Sequence, residues 1–380
     1  MKMSIKIAQL WGIPIKLHIT FLLVLPLFTW VFASNNIKIG GLTIGFLGIE
    51  NTALRLVLAM VATILLFVCI ALHELGHSWV AKRHGAKIQN ITLLLFGGVA
   101  SMEEIPKDPK TEIKMASAGP LVSLGIGISL YAAHSVFSPS VDGGIMLGIM
   151  IMAGTLAYFN IILAIFNLIP AFPMDGGRVL RALYATQMPY LKATHKAAYV
   201  GKLFAIFMGI FGLLANAWLL MIAFFIYIGA SEEEKSTELS TTLGGIKVSD
   251  IMSTGVKTVH ESMNLHELME FMMKNKHMGY PVTRNRITGP EIPMESVVGV
   301  VTFSDVQKIL PIEHNIVKVS DVMTKNVIAV SPDDEAMEAL KLISVHNIGR
   351  LFVVNGGHLV GVVSRTDLVK SIKILESEQN

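Results

Sequence analysis

The sequence predicts a polytopic α-helical membrane protein followed by a smaller α/β tail made of two similar modules. Three observations carry that expectation. The 380-residue chain is 52% hydrophobic and only 16% charged, with a mean hydropathy of +0.59, too apolar for a soluble protein of this length. Charge is unevenly placed, with 16 Lys+Arg and 8 Asp+Glu in residues 1–230 against 15 and 20 in residues 231–380. A sequence pattern also recurs within the last third. The resulting net charges of +8 and −5 leave the tail without a basic face, which argues against a nucleic-acid partner. Cys69 is the single cysteine, so no intrachain disulfide can form. The first apolar run follows an amphipathic stretch from Lys2 to Lys16 and lacks the small-residue end of a cleaved signal peptide.

A spanning helix needs about 20 mostly apolar residues. Stretches 17–33, 53–81, 113–134 and 145–170 each predict one span. Stretch 197–230 is long enough for two, with a turn around Asn216 and Trp218. The expected total is six. The N-terminus and segments 82–114 and 175–196 hold 13 Lys and Arg, whereas the opposite loops, 34–52 and 135–144, hold only Lys38. The positive-inside rule then predicts a multi-pass protein of the cell membrane with both termini in the cytoplasm. Between the second and third spans, residues 91–102 are β-prone and too short to cross, which predicts a re-entrant segment. Such a segment either offers a strand edge to an unwound peptide or seals a cavity.

The acidic run 231–245 has no apolar face and reads as a linker. Beyond it, Val248-Ser-Asp-Ile-Met252 recurs as Val319-Ser-Asp-Val-Met323, and Gly299-Val-Val-Thr-Phe-Ser-Asp305 as Gly361-Val-Val-Ser-Arg-Thr-Asp367. The two offsets differ by an insert in the first copy at 286–296. The expected domains are therefore 1–230 in the membrane, a linker at 231–246, and modules at 247–312 and 313–375.

Chemistry concentrates in two places on the membrane part. His73-Glu74-Leu75-Gly76-His77 lies near the cytoplasmic end of the second span. On a helix, positions i and i+4 share a face, so the imidazoles can bind one Zn²⁺ while Glu74 acts as general base on a water. Zinc lowers the pKa of such a water to about 7, and a bound cation offsets the cost of ionisable groups in an apolar span. A third protein ligand is needed. Asp175, in Asn167-Leu-Ile-Pro170-Ala-Phe-Pro173-Met-Asp175-Gly-Gly177, is the candidate, and the alternative for it is a helix N-cap with Arg178 and Arg181 as surface charges. The prolines break the helix there and the glycines let backbone approach closely. His18, His84, His134 and His195 carry no ligand assignment.

The two segments together, His-Glu-x-x-His and Asn-x-x-Pro-x-x-Pro-x-Asp-Gly on separate spans, resemble the site-2 proteases, a family of intramembrane zinc metalloproteases. The resemblance covers about residues 1–230; Met174 stands where the family usually has Leu, a volume-conserving exchange. It implies an endopeptidase cleaving transmembrane protein substrates near the cytoplasmic face, with His73, His77 and Asp175 as zinc ligands and Glu74 as catalytic acid/base. It also implies that Asn167 positions the scissile carbonyl; the alternative is an Asn that satisfies backbone freed by Pro170.

The repeated tail resembles a tandem pair of CBS domains, named for cystathionine β-synthase. That resemblance implies adenine nucleotide, AMP or ATP, in the clefts between modules, with Ser304 and Thr366 near phosphate and Asp305 and Asp367 on the ribose. Thr302, Ser364 and Arg365 are further candidates, and a homodimer through the CBS pair is expected. The alternative is a structural pair in which each Asp caps a helix. The leading expectation is a nucleotide-modulated intramembrane zinc protease with membrane lipid around it. The rival is a CBS-regulated ion channel or transporter whose path is lined by the same His, Glu and Asp.

Overall fold

The computed structural model describes residues 4–86, 88–94, 97–102, 108–137, 144–285 and 292–371. Lys87 and Lys107, residues 138–143, insert residues 286–291 and the end of the second repeat beyond 371 lie outside them. The chain divides into two units, Met1–Thr237 and Glu238–Asn380.

The first unit opens with β1 (Ser4–Leu10) and β2 (Ile13–His18), an antiparallel hairpin where the sequence suggested an amphipathic stretch. Alternation explains it: Ile13 and Ile15 are buried while Pro14 and Lys16 between them are half-buried. Then come α1 (Phe21–Ser34), a short hairpin of β3 (Ile37–Ile39) and β4 (Leu42–Ile44), and α2 (Thr52–Arg83). Asn51 caps α2, its side chain accepting from the Leu54 N–H at 3.0 Å. Lys82 and Arg83 in the last turn suit the negative end of its dipole. Next are β5 (Ile88–Leu94), β6 (Gly97–Met102), α3 (Pro109–Phe137), α4 (Gly144–Asn167), α5 (Asp175–Ala185), α6 (Tyr190–Ala215) and α7 (Ala217–Thr242).

Among the described residues, the four helices α2, α3, α4 and α6 are long and apolar enough to cross a membrane. The expected six therefore depends on α1 and α7. Helix α1 has 14 residues because 13–18 are taken by a strand, and the apolar part of α7 ends before Ser231. Large apolar side chains such as Leu23, Trp30, Phe207, Leu214 and Phe224 stand exposed on these helices, as a lipid-facing surface requires.

The sheet order is β1-β2-β5-β6, with β2 parallel to β5 and the other pairs antiparallel. Ile91 and Leu93 of β5 share a buried cluster with Ile13, Ile15 and, from α2, Phe67, Ala71 and Leu75. The sheet thus lies on the part of α2 that carries the two histidines. The segment expected to be β-like is this hairpin, and β6 is an edge of the sheet.

Helices α6 and α7 meet at Asn216, whose backbone is extended and whose side-chain oxygen accepts from the Trp218 N–H at 2.9 Å. The run expected to be a linker is helical as far as Thr242. Two of its acidic residues pair with side chains of other helices: Glu233 with Arg181 at 2.6 Å, and Glu234 with His195 at 2.6 Å and with Lys202.

The second unit holds two small sheets. In one, strand Gly279–Thr283 runs antiparallel to Val297–Thr302 and parallel to Val259–His260. In the other, Arg350–Asn355 is related in the same way to His358–Ser364 and Ala329–Val330, and Ile292–Pro293 from the first-repeat insert pairs on the far side. The cores do not follow the repeat boundaries. Val248 and its neighbours pack with Val330, Leu351 and Val363 of the second copy, whereas Val319 and Val322 pack with Leu265, Tyr280 and Val301 of the first. Each opening segment closes the other copy's core.

Candidate metal centre

Helical spacing places His73 and His77 one turn apart on α2, both buried, with Nε2 atoms 3.2 Å apart. The loop after α4 brings Asp175 to them, its Oδ2 lying 3.4 Å from His73 Nε2 and 3.1 Å from His77 Nε2. Asp175 is the first residue of α5; Met174 occupies the N-cap position, so the alternative of a capping role falls away. Close backbone packing makes this reach possible. A Cβ on Gly176 would meet the carbonyls of Leu168 and Ile169, and one on Gly177 would meet the backbone of Ala171 and Phe172.

The partner of the far nitrogen of His77 fixes the direction of the near one. His77 Nδ1 lies 2.7 Å from the Met115 carbonyl oxygen, which can only accept, so Nδ1 donates and the neutral ring turns its Nε2 lone pair toward Asp175. His73 Nδ1 lies 2.9 Å from Ser123 Oγ. Two acceptors 3.1 Å apart in a buried place repel unless a proton or cation lies between them. The three atoms form a triangle with sides of 3.1, 3.2 and 3.4 Å. A tetrahedral zinc with bonds of about 2.0–2.1 Å has ligand-to-ligand edges of about 3.3–3.4 Å, so donor types and spacing fit zinc with one corner left over. Among the described residues this is the group of His, Cys, Asp and Glu that could hold a metal. Helix α3 passes close behind it: a Cβ on Gly119 would stand against both Nε2 atoms.

Glu74 follows on the same helix, half-buried, with His77, Asp175 and Arg178 near it. Asn167 ends α4 and donates its Nδ2 to the Leu163 carbonyl at 2.9 Å, a backbone contact within its own helix, and no described contact joins it to the cluster. The remaining histidines are engaged elsewhere: His18 with Thr20, His84 with the Val80 carbonyl, His134 with the Met150 carbonyl and His195 with Glu234.

Arg181, a surface charge in the alternative that made Asp175 a helix cap, is one of the most buried large side chains among the described residues, 2% exposed. Its Nε and Nη2 donate to Glu112 Oε1 at 2.8 and 2.5 Å and its Nη1 to Glu233 at 2.6 Å. Neither Glu112 nor this network was legible in the sequence. The available hint was an acidic residue directly before the third expected span.

In the tail, a cleft of about 530 Å³ is lined by Thr302, Ser304, Asp305, Asn326, Asn347 and Arg350 among others. Thr366 and Asp367 are not among its lining residues, and Arg365 is exposed. Both aspartates cap: Asp305 Oδ2 accepts from the Thr302 N–H and hydroxyl at 3.0 and 2.7 Å, and Asp367 Oδ2 from the Ser364 N–H and hydroxyl at 2.9 and 2.6 Å. Burial works to raise the Asp305 carboxyl, but the Thr302 bonds and Lys308 hold it below the ordinary aspartate range. Arg350 was not singled out by the sequence. It occupies the position that Gly279 has in the first copy, and its guanidinium donates to the Gly279 carbonyl.

The model of peptidase family M50 matches residues 61–141 and 143–208, and the CBS-domain model matches 248–312 and 319–374. The chain is 40% identical over 380 residues to a zinc metalloprotease of Methanocaldococcus jannaschii, covering all of this chain and 99% of that one. It is 26% identical over 392 residues to the protein Rip3 of Mycobacterium tuberculosis, covering all of this chain and 95% of Rip3. Among solved structures, a site-2 protease from Methanocaldococcus jannaschii is 42% identical, covers 61% of this chain and 95% of its own, and superposes with a TM-score of 0.41.

Proposed function

The chain belongs to peptidase family M50, the site-2 protease zinc metalloproteases, and carries a CBS-domain pair; from that premise we propose that it cleaves transmembrane protein substrates near the cytoplasmic face. His73, His77 and Asp175 hold the zinc in this reading. The observation that carries it is the convergence of three acceptor atoms, two on buried imidazoles and one on the half-buried Asp175, with Glu74 beside them. When bound, zinc supplies Lewis acidity and makes water a usable nucleophile at neutral pH.

The chain's own groups do the rest. The Met115 carbonyl holds His77 in its tautomer and orientation, and Ser123 holds the ring of His73 in its orientation. Glu74 takes a proton from the attacking water and returns it to the leaving amide nitrogen. A helical peptide bond must be unwound before water can reach it, and the open edge of β6, on the sheet packed over α2, supports strand addition as the way the peptide is held. Asn167 belongs in this reading as a positioning group once its helix bond to Leu163 is exchanged for substrate.

The same reading extends to topology and regulation. Six spans, with α1 and α7 as the short ones, put both termini in the cytoplasm by the placement of Lys and Arg. Adenine nucleotide in the 530 Å³ cleft, with Ser304 and Asp305 among its contacts, modulates the protease, and the CBS pair mediates a homodimer. The channel or transporter reading is not favoured.

The test is cleavage of a model transmembrane substrate by protein reconstituted in lipid, with metal analysis of the same samples. Glu74→Gln is expected to keep one zinc per chain and to lose at least about a hundredfold in rate; His77→Ala is expected to lose both metal and activity. Near-normal cleavage by Glu74→Gln removes Glu74 as the base.

A further inference from the structure

Among the described residues, two helices supply the partners of the histidine ring nitrogens that α2 does not. Helix α5 begins with Asp175, and α3 contributes the Met115 carbonyl, Ser123 and the close passage at Gly119. These two helices are joined by one buried ion pair. Arg181, a turn and a half along α5 from Asp175, directs both Nε and Nη2 at Glu112 Oε1, and Glu112 is 0% exposed. Glu112 and Met115 lie three residues apart on α3, hence on one face, so the pair grips the helix beside the carbonyl that orients His77. Arg181 also lies over the ring of Phe172, 5.1 Å from its centroid, and Phe172 is fully buried in the loop leading to Asp175. Asp175 is thus held from both directions along the chain by one side chain.

We propose that Arg181, paired with Glu112, is a positioning residue for the metal centre: it sets the separation between the Asp175 carboxylate and the imidazole pair. The inference rests on the zinc reading above. A lock is needed because Asp175 reaches the site from a loop after α4, whereas both histidines are fixed by one helix. A displacement of a few tenths of an ångström at Asp175 is enough to spoil a tetrahedral edge. The alternative is that the pair only stabilises the fold.

Removing one partner of a buried ion pair leaves the other charge unpaired, whereas replacing both with apolar side chains is often neutral for folding. That difference separates positioning from stability. Full-length protein is purified as wild type, Arg181→Met, Arg181→Met/Glu112→Leu and Arg181→Lys; Glu233, the other partner of Arg181, is 29% exposed and is left to water in both Met variants. Thermal unfolding is followed on the metal-free forms, and zinc affinity is measured by competition with a chromophoric chelator. Arg181→Met is expected to melt lower than wild type. The double variant is expected to regain most of that loss yet bind zinc about tenfold more weakly, the scale found when a group supporting a ligand is lost. Arg181→Lys, which keeps the charge without the fork, is expected to melt near wild type and also to bind zinc more weakly.

Wild-type zinc affinity in a folded double variant overturns the proposal, and if the double variant does not fold, wild-type affinity in Arg181→Lys does so. Wild-type protein that binds no zinc overturns the underlying reading together with this one. Loss of affinity confined to the variants leaves that reading standing and supports the lock.

Discussion

At the scale of single residues, the site depends as much on a missing side chain as on those present. Gly119 lets α3 pass behind two imidazoles whose near nitrogens its Cβ would touch. Gly119→Ala is therefore expected to keep the helical content of the wild type while losing most of its zinc, read by circular dichroism and metal analysis on one sample. Retained zinc would mean that the rings have room the geometry denies them. The ligands themselves were legible because a helix fixes the geometry of i and i+4 without help from the fold. Arg181 was not, since burial of a guanidinium follows from where Glu112 and Glu233 arrive, 69 and 52 positions away. The same holds for Arg350, whose only sequence trace is that its partner position in the repeat is Gly279.

Among the elements, β6 is the edge strand of the sheet next to α2 that the peptide-holding reading uses. Alternate residues of a strand direct their N–H groups to opposite edges, so of Val99 and Ala100 one donates toward β5 and the other outward. Proline removes a donor, and the outward of Val99→Pro and Ala100→Pro is expected to slow substrate cleavage several-fold with zinc content unchanged. Equal activity in both would exclude this edge as the peptide-holding strand.

The hairpin was legible from its β-prone composition, but the sheet that contains it was not, because β2 pairs with β5 across the whole of α1 and α2. The acidic run misled for a related reason: Glu233 and Glu234 look unsuited to a helix until the cations of α5 and α6 are placed beside them. In the tail, Asp305→Ala is expected to cost about 1 kcal/mol at neutral pH through the lost cap. Because the folded carboxyl is held below its ordinary range, that contribution is full above the ordinary aspartate pKa and disappears as the pH falls through the lowered one. Denaturant melts at neutral and acid pH check both the size and the sign.

Across the whole molecule, the contrast between an apolar first part and a charged, repeated second part was plain in composition alone, and the two units of the structure divide near that change. The equivalence of the repeats was legible; their inequality was not. Only one of the two equivalent positions carries a guanidinium, and the space a Cβ at Gly279 would take is filled by Arg350. The pair is accordingly expected to bind one nucleotide per chain, with titration calorimetry on the full-length protein giving a stoichiometry near one. Asp305→Asn is expected to weaken that binding and Asp367→Asn to leave it largely intact. Two equal sites would show that Arg350 does not distinguish the clefts.

The exchanged opening segments have a consequence of their own. With Val248 sealing the second copy and Val319 the first, and with Ile292–Pro293 lent across as an extra strand, neither half owns a complete interior. A polypeptide ending after the first copy would leave Leu265, Tyr280 and Val301 open to water. The pair must melt in a single cooperative step, and a substitution that loosens one half is felt by its twin.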